Sequence, residues 1–119
     1  MRITATLPYP PSTNVYWRTF RGRTVPSKAA TDYKKIVRTI LEHAVASEDN
    51  VLVDVTLLPK LTQKGVASKV CIDLDNCLKV LLDALQGLVI ADDKQVKEIH
   101  ARYGEPVCDG GVTITIQTL

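Results

Sequence analysis

"CIDLDNCLKVLLDALQGLVIADDKQV", residues 71–96, sets Asp73 and Asp75 just before an apolar stretch and Asp92 and Asp93 just after it. Leu78, Leu81, Leu82 and Leu85 recur at helical spacing, which predicts a helix over roughly 75–86 stopped by Gly87. With about 100° per residue and Asp75 at the origin, Lys79 falls near 40°, Asp83 near 80° and Gln86 near 20°, while the leucines span roughly 240° to 340°. The charged residues therefore flank the core stripe instead of entering it. Carboxylates repel one another, so four of them around one helix are either dispersed in solvent or gathered about a positive charge.

Outward from this helix, the patterning alternates between periods of two and of 3.6. "RITATL" (2–7) alternates Ile3, Ala5 and Leu7 with polar residues and predicts a half-buried strand. "PYPPSTN" breaks it, since proline cannot donate to a ladder, and residues 12–27 read as a polar, aromatic loop. Residues 27–46 place Ala30, Tyr33, Ile36, Val37, Ile40, Leu41 and Ala44 at helical spacing behind a Ser27 N-cap. "VLVDVTLLP" (51–59) predicts a strand, 60–69 a loop, and 95–104 and 110–119 two further strands. The expected fold is α+β over residues 1–119 as one domain: a mixed β-sheet with two packed helices in the order β-α-β-α-β-β.

With 119 residues and 45% hydrophobic content, the chain can bury a real core and is too apolar to be disordered. No apolar run nears the ~20 residues of a membrane span, and Pro8, Pro10 and Pro11 interrupt any secretory core at the start. A cytoplasmic, non-membrane protein is expected. Cys71, Cys77 and Cys108 lack CxxC spacing and read as reduced, small hydrophobes. The net charge of +2 is uneven: residues 1–40 carry eight Lys or Arg and one acid, whereas the rest carries seven bases and twelve acids. A basic front and an acidic back suit a protein that grips a polyanion and concentrates carboxylates elsewhere, although chance clustering on a solvated surface gives the same counts.

Asp73 and Asp75 have an ordinary explanation as helix capping, since a helix N-terminus favours carboxylates. If the return chain through "GLVIA" carries Asp92 or Asp93 back toward them, three or four carboxylates share a site. Such hard oxygen ligands select Mg²⁺, with Mn²⁺ as a substitute, over zinc; neither His43 nor His100 has a ligand spacing near them. A metal so held, with Lys79 as a fixed positive charge, suits phosphodiester hydrolysis. Alternatively, Lys79 forms a salt bridge to Asp75 or Asp83. In "STNVYWRTFRGRT" (12–24), Tyr16, Trp17 and Phe20 interleave with Arg18, Arg21 and Arg23, beside Ser12, Thr13 and Asn14 as neutral phosphate donors. Arginine forks pair with phosphate and aromatic faces stack on bases. The alternative is an aromatic lid on the core with solvated arginines.

In this order, "LPYPPSTN", "RGR", "DLDNCLKVLLDAL" and "ADDKQV" resemble the RusA family of Holliday-junction resolvases, endodeoxyribonucleases often carried by phages and prophages. The resemblance runs from residue 7 to 97. It implies a Mg²⁺-dependent homodimer that resolves four-way junction DNA by paired nicks. Residue by residue, Asp73, Asp75 and Asp93 match the family's essential metal-binding aspartates, Lys79 its catalytic lysine and Asp92 the neighbouring acid. Asn14, Tyr16, Trp17, Arg18, Arg21 and Arg23 form the expected DNA-binding set. Relatives often carry a basic run directly before the Asp motif; here "ASKVCI" leaves only Lys64 and Lys69 upstream, of which Lys69 joins the DNA-binding set. The rival readings are a metal-dependent nuclease for duplex or flap DNA and a non-catalytic junction-binding protein.

Overall fold

Val51, Val53, Val55 and Leu57 are all at most 1% exposed, while the residues between them are half-buried. That alternation makes Val51–Leu58 (β4) the central strand of a sheet covered on one face. The computed structural model describes the backbone of all 119 residues and the side chains of all except Asn14, Val15, Arg18 and Phe20. The chain runs β1 (Arg2–Leu7), α1 (Thr13–Tyr16), β2 (Trp17–Phe20), β3 (Arg23–Pro26), α2 (Lys28–Ile40), β4, α3 (Leu74–Leu85), a 3₁₀ turn (Asp93–Gln95), β5 (Val96–Tyr103) and β6 (Gly111–Thr118). Four strands form a sheet in the order β1-β6-β4-β5, with β4 and β5 parallel and the other pairs antiparallel. The expected mixed sheet with two long helices is present, and so is the expected order of these six elements.

Register lays three apolar rows across the sheet: Ile3–Ile116–Val53–Ile99, Ala5–Ile114–Val55–Ala101 and Leu7–Val112–Leu57–Tyr103. Ala30, Tyr33 and Val37 of α2 and Cys77, Val80, Leu81, Ala84 and Leu85 of α3 join those rows in one core. The opposite face is polar. There Thr4 and Thr115 share a hydrogen bond of 3.1 Å and Arg102 pairs with Asp54 at 3.0 Å. Among the described residues, no helix is long and apolar enough to cross a membrane.

Four local expectations are corrected. Residues 12–27 are not a loop: α1 is followed by a β2–β3 hairpin. Its two-residue turn is Arg21-Gly22, with φ of 51° and 75°, and positive φ at both centres matches the twist of the paired strands. The first helix starts as expected, with the Ser27 side chain accepting from the Ala30 N–H at 3.2 Å, but it ends at Ile40 and not at residue 46. Past Leu41 the chain is drawn into a bridge, in which Ser47 donates to the Val89 carbonyl and accepts from Ala91, so it must extend. Ile36 and Ile40, expected in the core stripe, are 46% and 44% exposed. Cys108 is exposed, unlike buried Cys77, because it lies in the β5–β6 connection beyond the sheet.

Ile114→Ala should cost about 2–5 kcal/mol, since it opens a cavity in the middle row. Thr6→Ala, on the solvated face, should stay within about 1 kcal/mol. Chemical denaturation of the two variants checks this; equal losses would place the core on the wrong face.

Candidate active site

Burial of Cys77, Val80, Leu81, Ala84 and Leu85 fixes the rotation of α3. Asp75, Lys79, Leu82 and Gln86, spaced four, three and four apart, then lie along its outer edge. Asp73 occupies the N-cap position with extended backbone, yet its side chain makes no capping hydrogen bond. Its carboxylate instead accepts from the Asn76 amide at 3.3 Å, and Asn76 in turn accepts from the Thr13 hydroxyl of α1. Capping therefore does not account for Asp73, and Asp75 is exposed in the first turn.

The return chain is a tight turn and not a strand, with Gly87 N–H bonded to the Ile90 carbonyl at 2.7 Å. It delivers Asp93 beside the middle of α3. Asp93, Lys79, Leu82, Asp83, Gln86 and Trp17 line one hollow of about 320 Å³. Asp92 is committed to a capping box: its carboxylate accepts from the Lys94 N–H at 2.9 Å, and its own N–H donates to Gln95 Oε1 at 2.8 Å. That backbone donor, followed by the carboxyl of Asp93, holds the Asp92 carboxyl below the usual carboxylate range. Gln95 also donates to the carbonyls of Ser47 and Asp49 at 2.6 and 2.8 Å, so one side-chain amide fixes the turn that presents Asp93.

Asp83 has a different job. Its Oδ2 accepts from the Tyr16 hydroxyl at 2.5 Å and pairs with Lys34 Nζ at 2.9 Å. It joins α1, α2 and α3, and it leaves Lys79 without the salt bridge that was one expectation for it: among the described residues, no ion pair joins Lys79 to Asp75 or Asp83. Burial first, and then the bond to Asp83, push the Tyr16 phenol far above its ordinary value.

The expected DNA-binding residues separate accordingly. Tyr16 is 0% exposed, so its ring belongs to the core and cannot stack on a base; this corrects its assignment. Trp17 meets Tyr16 edge-on at 4.9 Å between centroids and reaches the hollow that holds Lys79 and Asp93. Arg21 and Arg23 are exposed at the hairpin tip. The side chains of Asn14 and Arg18 lie outside the described residues. Lys69 is exposed in the 60–70 segment, beside a hollow it shares with Thr62 and Lys64.

Sequence reasoning missed four residues near Asp73. Tyr9, Lys60 and Asn76 line a second hollow, of about 330 Å³, with Asp73; Lys60 Nζ lies 5.0 Å from the centre of the Tyr9 ring. Tyr103 is close enough for Asp73 and Asp75 to help keep its phenol protonated, after desolvation and Cys71. Asn76 could have been noticed from its place in "DLDN". Lys60, Tyr9 and Tyr103 had no signal, because only the fold brings them to α3.

The donor set of Asp73, Asp75 and Asp93 is all oxygen and solvent-facing, which fits a hard divalent ion in kind. Among the described residues, no three His, Cys, Asp or Glu side chains stand close enough to share one ion. The Asp73–Asp75 end and the Asp93–Lys79 hollow are two stations along one helix edge.

Asp83→Ala should destabilise the protein by about 1–3 kcal/mol, because it strips the buried Tyr16 hydroxyl of its acceptor. Asp75→Asn should leave the melting temperature unchanged or raised, since it removes one of several like charges. A melt in which Asp75→Asn loses as much as Asp83→Ala would make Asp75 structural.

A family model described as Endodeoxyribonuclease RusA matches residues 8–117. The crossover junction endodeoxyribonuclease rusA of Enterobacteria phage HK97 is 34% identical over 117 residues, covering 95% of this chain and 92% of the phage protein.

Proposed function

The chain belongs to the RusA family of endodeoxyribonucleases, and from that premise we propose that it resolves four-way DNA junctions by divalent-metal-assisted hydrolysis of the phosphodiester backbone. The observation that carries this reading is the shared hollow of Lys79, Asp93 and Trp17. A cation, a carboxylate and an aromatic face meet there, and among the described residues no ion pair engages Lys79. Asp73 and Asp75 stand further along the same helix edge, with the Asp73 carboxylate unused in capping.

In this reading Asp73, Asp75 and Asp93 would supply the carboxylates for Mg²⁺ or Mn²⁺, Asp73 and Asp75 at one station and Asp93 at the other, with Asp92 as the neighbouring acid. When bound, such an ion neutralises phosphate charge and lowers the pKa of a water. Lys79 sits as a fixed positive charge for a non-bridging phosphate oxygen, strongest where negative charge builds in the transition state. Trp17 offers a stacking face for a base splayed at the crossover. Arg21 and Arg23, with Arg18 of the same hairpin and Lys69, position the backbone through phosphates. Lys60, beside Asp73, supplies some of the positive charge missing from "ASKVCI". Asn76, tied to α1 through Thr13, orients the Asp73 carboxylate.

Incubation with a four-way junction, a plain duplex and a flap, each with Mg²⁺ and with EDTA, tests the reading. Selective junction cleavage that EDTA abolishes is expected. Cleavage of duplex or flap at equal rate would make it a general nuclease, and binding without cleavage a junction-binding protein. Asp75→Asn should lower cleavage by about a hundredfold or more while junction affinity holds. Lys79→Ala should lower the rate more than the affinity.

We propose a homodimer as the acting unit, because a junction of near-twofold symmetry needs nicks in two opposed strands and one chain carries one such helix edge. Mixed dimers of wild-type and Asp75→Asn subunits should nick one strand and leave the junction unresolved. Mixed dimers that make both cuts in one binding event, or a monomer by sedimentation at micromolar concentration both free and on junction DNA, would exclude it.

A further inference from the structure

The segment that enters α3 is fastened through both backbone polar groups of one residue. The Ile72 N–H donates to the Tyr9 hydroxyl at 2.8 Å, and the Ile72 carbonyl accepts from the Tyr103 hydroxyl at 3.2 Å. The two tyrosines come from opposite sides of the sheet. Tyr9 follows Leu7, at one end of the row Leu7–Val112–Leu57–Tyr103, and Tyr103 closes the other end. The chain crosses this end of the sheet just before Asp73. The Tyr9 hydroxyl completes its own bonding by donating to Cys71 Sγ at 3.4 Å.

From this geometry we infer that Tyr9 and Tyr103 are positioning residues for the Asp73–Asp75 pair, acting as a two-point clamp on the Ile72 backbone. The inference rests on the reading that these aspartates serve the hydrolysis. The Ile72 N–H belongs to the peptide plane shared with Cys71, and the Ile72 carbonyl to the plane shared with Asp73. Holding both planes leaves Asp73 little freedom in where its Cα sits, and Asp75 follows in the first turn of the helix. The Ile72 side chain is 8% exposed and packs in the core, so the backbone is held from below by packing and from the flanks by the phenols. Both hydroxyls stay protonated at neutral pH, since burial and the Cys71 contact push Tyr9 up to about 12 and Tyr103 is raised too. Each can therefore donate. Asp73 itself carries no capping bond that would otherwise lock it, so the clamp takes the place of a side-chain cap.

The test is Tyr9→Phe and Tyr103→Phe, each keeping its ring and losing only the hydroxyl. Single-turnover cleavage of a four-way junction at saturating enzyme should fall roughly tenfold or more, as small misplacements of reacting groups do, while junction affinity stays within about twofold, as expected for an interaction that matters only in the transition state. Backbone amide exchange supplies a readout independent of activity. The Ile72 amide should exchange faster in Tyr9→Phe, and that of Cys77, which donates to the Asp73 carbonyl at 2.9 Å, faster in Tyr103→Phe. Tyr103 is 50% exposed, so Tyr103→Phe folds even if Tyr9→Phe does not. Unchanged exchange at both amides overturns the clamp, whether or not the wild-type protein cleaves junctions. Faster exchange with unchanged cleavage overturns the positioning role alone. Lost affinity with an unchanged rate at saturation would make the tyrosines DNA contacts and overturn it as well. A wild-type protein that cleaves no junction, with exchange altered as expected, refutes the functional reading and leaves the clamp standing.

Discussion

The burial of one side of α3 governs everything placed on the other. Cys77, Val80, Leu81, Ala84 and Leu85 are all at most 3% exposed, and at roughly 25 cal/mol per Å² such burial outweighs any surface charge preference of the helix. Rotating α3 to alter the position of Lys79 would lift this face off the sheet. The polar edge with Asp75, Lys79 and Gln86 is thus held by hydrophobic packing in which those residues take no part. The packing also sets the cost of error: a substitution in that face acts on the site by moving a whole helix, whereas one at Asp75 removes a single group.

Around that helix the carboxylates divide by what already satisfies them. Asp83 has a phenol and an ammonium on one oxygen. Asp92 has a backbone donor and closes a capping box. Asp73 has one amide contact of 3.3 Å, and Asp75 and Asp93 are exposed. Acids already matched by protein donors do structural work, and a further cation would have to compete with those donors. Acids left facing solvent keep their charge available. Acids that hold the fold and acids left facing solvent are therefore separable here at the level of single aspartates, although all five lie within residues 73–93.

Much of this was legible from the chain. Alternation, and for residues 51–59 a β-branched, apolar run, gave the four sheet strands to within a residue or two, since a half-buried strand has little choice of which residues face the core. The leucine spacing gave α3, and helical wheel geometry placed Lys79 on its outer edge. The hairpin at 17–26 was not legible, because an Arg-Gly turn lacks the usual Asn-Gly signature and only the pairing of Trp17 with Pro26 through Phe20 with Arg23 makes it energetically sound. The early end of α2 was hidden for a related reason: helix propensity continues past Leu41, and tertiary pairing of Ser47 with the 89–91 turn overrides it. Tyr16 looked like a base-stacking residue because its arginine neighbours are visible in sequence and its partner Asp83, 67 positions away, is not.

The sheet end where Tyr9, Ile72 and Tyr103 meet shows how a small fold can hold an exposed loop without covering it. A loop that must admit a nucleic-acid backbone cannot be buried, so hydrophobic packing alone cannot fix it. Neither can a helix cap, if the capping carboxylate is needed for something else. What remains is to hold the chain one residue earlier, by its peptide groups, from side chains long enough to reach over the sheet's rim. Tyrosine meets that need better than Ser or Thr: its ring packs on the apolar row while its hydroxyl extends to the backbone. Among the described residues, the Asp73 side chain makes no structural bond except the one to Asn76, which is the condition under which a carboxylate can be both well placed and free to bind.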